Sequence, residues 1–158
     1  AAVTSPYAKA LARASAGIDW SRPCLIWLCD YVVDVTGFDP ADRWRHYDWT
    51  ERRARRAMAA AGRFHAGSTP VEKALREAAS TGDWIEVDEP EAPCVGVFND
   101  SGGIGLPAIY DGAGRWLLAT SLGAHVTTQK PTVMWRLPSA DYRIGSARAR
   151  PDDGGSTG

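Results

Sequence analysis

Between Pro23 and Gly37 lies the stretch that most restricts how this chain can fold: thirteen residues, Cys24 to Thr36, carrying only two charges, Asp30 and Asp34. Leu25, Ile26, Trp27, Leu28, Tyr31, Val32, Val33 and Val35 leave it almost no polar face. A helix that is apolar nearly all round must be buried on most sides. The β-branched residues at 32, 33, 35 and 36 keep a strand open as an alternative. Thirteen residues without a breaker exceed the usual strand and favour helix. Ser21 can cap its start, Pro23 suits its first turn and Gly37 ends it. Asp30 and Asp34 lie four apart and share one stripe. That stripe reads as facing water or a charged partner, rather than as the paired carboxylates of a glycosidase.

Other elements surround this helix. Residues 4–16 read as a short helix capped by Thr4 or Ser5, with Pro6 in its first turn and Gly17 at its end. Asp39-Pro40 opens a turn or short helix through Trp44 to Tyr47, and Thr50 caps a helix through Ala61. Thr69-Pro70-Val71-Glu72 has capping-box spacing and opens a helix to about Ser80. The texture then changes. Trp84–Asp88, Cys94–Phe98, Ala108–Tyr110, Trp116–Thr120, His125–Thr128 and Val133–Leu137 read as strands separated by Gly, Pro, Asn and Asp. Asp111-Gly112-Ala113-Gly114 is a hairpin signal. Helices followed by a meander predict an α+β fold, with N-terminal helices packed on an antiparallel sheet of about five strands. The length of 158 residues suits one domain. We place that domain at residues 1–143, with a flexible Pro-, Asp-, Gly- and Ser-rich tail at 144–158.

A net charge of -1 gives the whole molecule no bias toward nucleic acid or an anionic membrane. Charge is uneven along the chain, however. Arg43, Arg45, Arg52, Arg53, Arg55, Arg56 and Arg63 cluster, and Asp83, Glu86, Asp88, Glu89 and Glu91 follow; either run could form a local patch. The arginines lack the aromatic interleaving of a nucleic-acid surface, so no nucleic-acid partner is expected. The glycines at 102–105 and 112–114 lack the Gly-Lys-Ser/Thr of a phosphate loop. Cys24, Cys29 and Cys94 show no metal-ligand spacing and are read as reduced; no metal or cofactor is expected. The first 20 residues have no signal-peptide core, and no apolar run is long enough to span a membrane. A protein made in the cytosol and not exported by the general route is expected.

Cys24 is the residue with the most chemical promise. The first turn of a helix offers unpaired N–H groups and the positive end of the dipole, which favour thiolate over thiol. A rigid helix on a sheet also suits a nucleophile. The plainer alternative is a small apolar core residue, as Cys29 is read to be. A thiolate needs a base, normally histidine. His46 falls in the Arg- and Trp-rich turn and His65 in a loop between helices. His125 falls on a strand, where a helix-borne thiolate could meet it, with Gln129 or Asp111 to orient it.

The residues around Cys24 carry a family resemblance. They are Trp20-Ser21-Arg22-Pro23-Cys24, Trp27, Cys29-Asp30-Tyr31-Val32, Thr36-Gly37-Phe38-Asp39-Pro40 and Arg45-His46-Tyr47, with Gly82-Asp83 and Trp135-Arg136 further on. In that order they resemble the NlpC-type, papain-like cysteine peptidase domains encoded with the tail genes of siphophages and gene transfer agents. The resemblance covers roughly residues 18–138. It implies a papain-like α+β fold, a helix-borne nucleophile matching Cys24, and a histidine on the second strand. It further implies cleavage of peptidoglycan peptide stems as DNA enters the cell. The partners would be the tail hub and other tail-tip proteins, and peptidoglycan itself. The protein would reside in the virion tail, made in the host cytoplasm and acting at the host cell envelope.

Two departures bear on the chemistry. Pro23 stands where the family has Asp before the Cys. The His-Val-Gly-Ile of active members corresponds to Cys94-Val95-Gly96-Val97, so a cysteine occupies the base position. A second register, through Ala108-Ile109-Tyr110, puts Leu106 there. Two readings therefore stay open. One is a cysteine peptidase or amidase using Cys24 as nucleophile and His125 as base. The other is a structural tail protein that keeps the fold without the catalysis, its seven tryptophans suiting protein interfaces.

Overall fold

The predicted core helix is α2, Cys24–Thr36, and nine of its thirteen residues are buried. The computed structural model describes residues 5–18, 24–42, 45, 52, 56, 69–99 and 104–138. Of the helix expected over 50–61 only Arg52 and Arg56 are described, both helical and exposed. The capping residues expected at 21–23 and the tail expected at 144–158 lie outside the described residues.

Before α2 comes α1, Pro6–Ser15, where Ser5 caps the N-terminus by accepting a hydrogen bond from the Ala8 N–H. Its buried side is only Ala10 and Ala14. Such small residues let α2 approach closely, and the Trp27 indole donates to the Ala10 carbonyl at 2.9 Å. At the rim Arg13 pairs with Asp34 at 3.2 Å. Helix α3, Pro70–Gly82, opens on the predicted cap: Thr69 Oγ1 accepts from the Glu72 N–H. Its C-cap is Asp83, held at φ 60.

The strands are β1 (Ile85–Val87), β2 (Cys94–Phe98), β3 (Leu106–Tyr110), β4 (Trp116–Thr120), β5 (Gly123–Thr127) and β6 (Val133–Arg136). They form one antiparallel sheet in the order β1-β6-β2-β3-β4-β5. The α+β class holds, and the sheet of about five strands has six, the short segment after α3 pairing with β6 as an edge strand. The Asp111–Gly114 hairpin signal is the β3–β4 turn; Asp111 accepts from the Ala113 and Arg115 N–H groups, and Gly112 and Gly114 take positive φ.

Strand alternation sorts the side chains between two clusters. Val95, Val97, Ile109, Leu117, Ala119 and Trp135 join the helices in the main core. Cys94, Phe98, Ala108, Trp116, Leu118 and Met134 make a smaller cluster on the far face. Helix α2 lies over β3 and β4, while α1 lies over β4 and β5.

Gly96, in the middle of β2, sits on the far face beneath Pro131. A Cβ there would come within 2.8 Å of two Pro131 ring carbons and 2.9 Å of the Val133 carbonyl oxygen. Gly96→Ala should cost about 1–3 kcal/mol, the usual penalty of overpacking against a rigid neighbour. Urea unfolding checks this through a lowered midpoint at unchanged slope.

Candidate active site at Cys24

Cys24 is the first residue of α2, and its side chain is 7% exposed. The helix-start argument expected a thiolate. Burial instead pushes the thiol up to about 11, against the smaller opposing effect of the Cys24 and Leu25 backbone N–H groups. Removing a charge from water outweighs two amide dipoles here. Cys29 is fully enclosed and is pushed up as well, first by burial and then by the neighbouring Asp39. Cys94 rises to about 11, mainly through burial. All three cysteines are unpaired and buried.

The register places His125, the one candidate base among the described residues, on the far face, with the two positions where the family resemblance puts the base, Cys94 and Leu106. Residues directly opposite one another on neighbouring strands share a face. His125 is opposite Leu118, which belongs to the far cluster, whereas Leu117 and Ala119 belong to the helix side. The His125 side chain is exposed on the side of the sheet away from α2. Cys94 is in the far cluster too, and Leu106 shares the face of Ala108. The sheet therefore lies between Cys24 and all three positions. His46 and His65 lie outside the described residues.

On the helix side the strands present Val95, Val97, Pro107, Ile109, Leu117, Ala119, Ala124, Val126, Val133, Trp135 and Glu86. Only Glu86 among them titrates, and it sits on the edge strand paired with Arg76 at 2.9 Å. Among the described strand residues no base stands under α2. Of the residues proposed to orient His125, Asp111 is engaged elsewhere. Asp111 holds its turn and Arg115 at 2.8 Å, while Gln129 lines a cleft with Phe98, Lys130 and Thr132. Burial raises the Asp111 carboxyl, but the N–H groups of Ala113 and Arg115 and the Arg115 guanidinium outweigh it and hold the group below the usual carboxylate range.

Polar chemistry is concentrated in two ties that spacing alone did not reveal. Arg45 bridges Asp30 of α2 and Asp39 beyond it, with Arg45 Nε 2.7 Å from Asp39 Oδ2. Both carboxylates hold the guanidinium proton, Asp39 foremost, and its pKa rises. The Asp30–Asp34 stripe thus faces charged partners, Arg45 and Arg13. At the start of α3 the buried Glu72 accepts from Asn99 Nδ2 at 2.6 Å and Arg76 Nε at 2.8 Å, while the Thr69 hydroxyl donates to Asn99 Oδ1 at 2.7 Å. Gly105 permits this closure: with φ +94, its Cβ would fall 2.5 Å from Thr69 Oγ1. The acidic run also finds cations, as Glu86, Glu89 and Glu91 pair with Arg76, Lys130 and Arg136. Among the described residues no group of three or more His, Cys, Asp and Glu side chains gathers as a metal site would. No helix among them is long and apolar enough to cross a membrane.

Residues 5–136 match the family described as Domain of unknown function (DUF6950), and the chain belongs to that family. No curated protein and no solved structure matches it.

The raised thiols have a signed consequence. A group whose pKa is higher folded than unfolded stabilises the fold fully below its unfolded value, near 8.5 for cysteine. That contribution is lost as pH rises toward the folded value, here about 11 for Cys24. The unfolding free energy from urea titrations should fall further between pH 7.5 and pH 10.5 for the native chain than for Cys24→Ala, by about 1–3 kcal/mol. Iodoacetamide at neutral pH should label Cys24 only after unfolding.

Proposed function

We propose that this chain is a structural component of a siphophage-type tail tip, keeping a peptidase-like α+β fold without peptidase chemistry at Cys24. The tail-tip assignment is supported by the ordered motifs from Trp20 to Tyr47 and by Gly82-Asp83 and Trp135-Arg136. One observation carries the non-catalytic part: Cys24 is a buried, protonated thiol separated by the sheet from His125, Cys94 and Leu106. A cysteine nucleophile needs thiolate character and a base within hydrogen-bond reach. In this reading the fold serves to dock on the tail hub and neighbouring tip proteins, in the virion tail.

The purified full chain, incubated with peptidoglycan sacculi, should release no more soluble peptide than its Cys24→Ala variant. Release that disappears in Cys24→Ala would establish the peptidase reading instead. In particles assembled with the variant chains, Cys24→Ala should leave tail assembly normal, whereas a variant that unfolds α2, such as Leu28→Asp, should not.

A further inference from the structure

The two edges of the sheet differ in a way that makes each a fit for the other. We propose that copies of this chain associate head to tail, with β1 of one copy adding to β5 of the next. This goes beyond the tail-component reading and does not depend on it.

The first observation is that among the described residues no strand pairs with the outer edge of β5. It has five residues, Gly-Ala-His-Val-Thr, with no proline and no Lys, Asp or Glu. Natural sheets usually protect an edge with charges, prolines, bulges or a covering element, since its free N–H and C=O groups accept another strand. Here Val126 is 44% exposed, and Leu122 in the adjoining turn is 98% exposed. At the other edge, β1 presents Ile85 at 50% exposure.

The second observation is charge. No carboxylate occurs in residues 1–18, which include α1, or in residues 112–138, which include β4 and β5. Helix α1 lies over this edge and carries Lys9 and Arg13, of which Arg13 is paired with Asp34. The segment around β1 carries Asp83, Glu86, Asp88, Glu89 and Glu91. Arg76, Lys130 and Arg136 pair with three of these, and Asp83 and Asp88 remain as exposed carboxylates. An acid-rich edge repels a copy of itself and attracts an acid-free edge that carries a lysine and a histidine.

The third observation is direction. Each strand runs antiparallel to its neighbour, and there are six strands in the sheet. The edge strands β1 and β5 therefore point opposite ways. Two copies set side by side in the same orientation bring β1 and β5 together antiparallel, with both helix layers on one side. The ladder continues over the three residues of β1, Ile85 joining the face of His125 and Glu86 the face of Ala124 and Val126. Such a contact is heterologous, so its repetition builds a ring or an open array.

Sedimentation of the full chain over micromolar to millimolar concentrations, at low and high salt, tests this. Association that rises with concentration and weakens with salt is expected. His125→Glu places an acid on the β5 edge, and Ile85→Arg a cation on the β1 edge; both positions are exposed, and urea midpoints confirm that each variant folds. Each variant alone should associate at least about tenfold more weakly, as like charges in a contact require. Their mixture should regain association, through the unaltered β1 of one variant with the unaltered β5 of the other and through the opposite charges, Glu against Arg, on the two altered edges. A native chain that stays monomeric throughout overturns the proposal. So does association lost in only one variant, which marks a symmetric β5–β5 or β1–β1 contact, or a mixture that fails to pair.

Discussion

The architecture depends on covering α2. A helix with Leu25, Ile26, Trp27, Leu28 and Val32 all buried needs apolar neighbours on several sides. The sheet supplies one side through Ile109, Leu117 and Ala119, and the alanine face of α1 supplies another. Each buried leucine or isoleucine contributes about 1.5–3 kcal/mol of transfer free energy, so this one helix accounts for a large share of the driving force. The charged rim then orients it. Arg13 holds Asp34, and Arg45 holds Asp30 and Asp39, at the border where the helix meets water.

The same burial decides the chemistry at Cys24. A helix start favours a thiolate by a modest electrostatic amount, whereas complete desolvation of a charge costs several times more. The helix that makes the fold stable therefore holds its first cysteine as a neutral thiol. The far cluster behind the sheet contains Cys94 in the same condition, enclosed by Phe98, Trp116 and Met134. All three cysteines are buried.

Much of this was legible from residue order. The caps at Ser5 and Thr69, the breakers at Gly17 and Gly37, and the turn at Asp111 act locally, so spacing reveals them. The ties Arg45–Asp30 and Glu72–Asn99 span 15 and 27 residues and depend on where separate elements meet. The family resemblance marks out Arg45 among the arginines of its run, but residue order does not reveal that it meets Asp30 and Asp39. The acidic run looked like a patch, yet three of its members are matched by Arg76, Lys130 and Arg136 from distant segments.

By itself the sequence determined that Cys24–Thr36 is a buried helix, that helices precede a meander, and that His125 lies on a strand. These follow from local periodicity and breakers, which need no partner to act. Only the tertiary structure decided which face of the sheet each strand residue occupies relative to α2. Alternation makes His125 and Val126 face opposite ways, but it cannot say which of them meets the helix. The pairing of Leu118 with His125, and of Leu117 with Val126, settles it: Leu117 joins the core under the helices, so Val126 takes that face, and Leu118 joins the far cluster, so His125 takes the other.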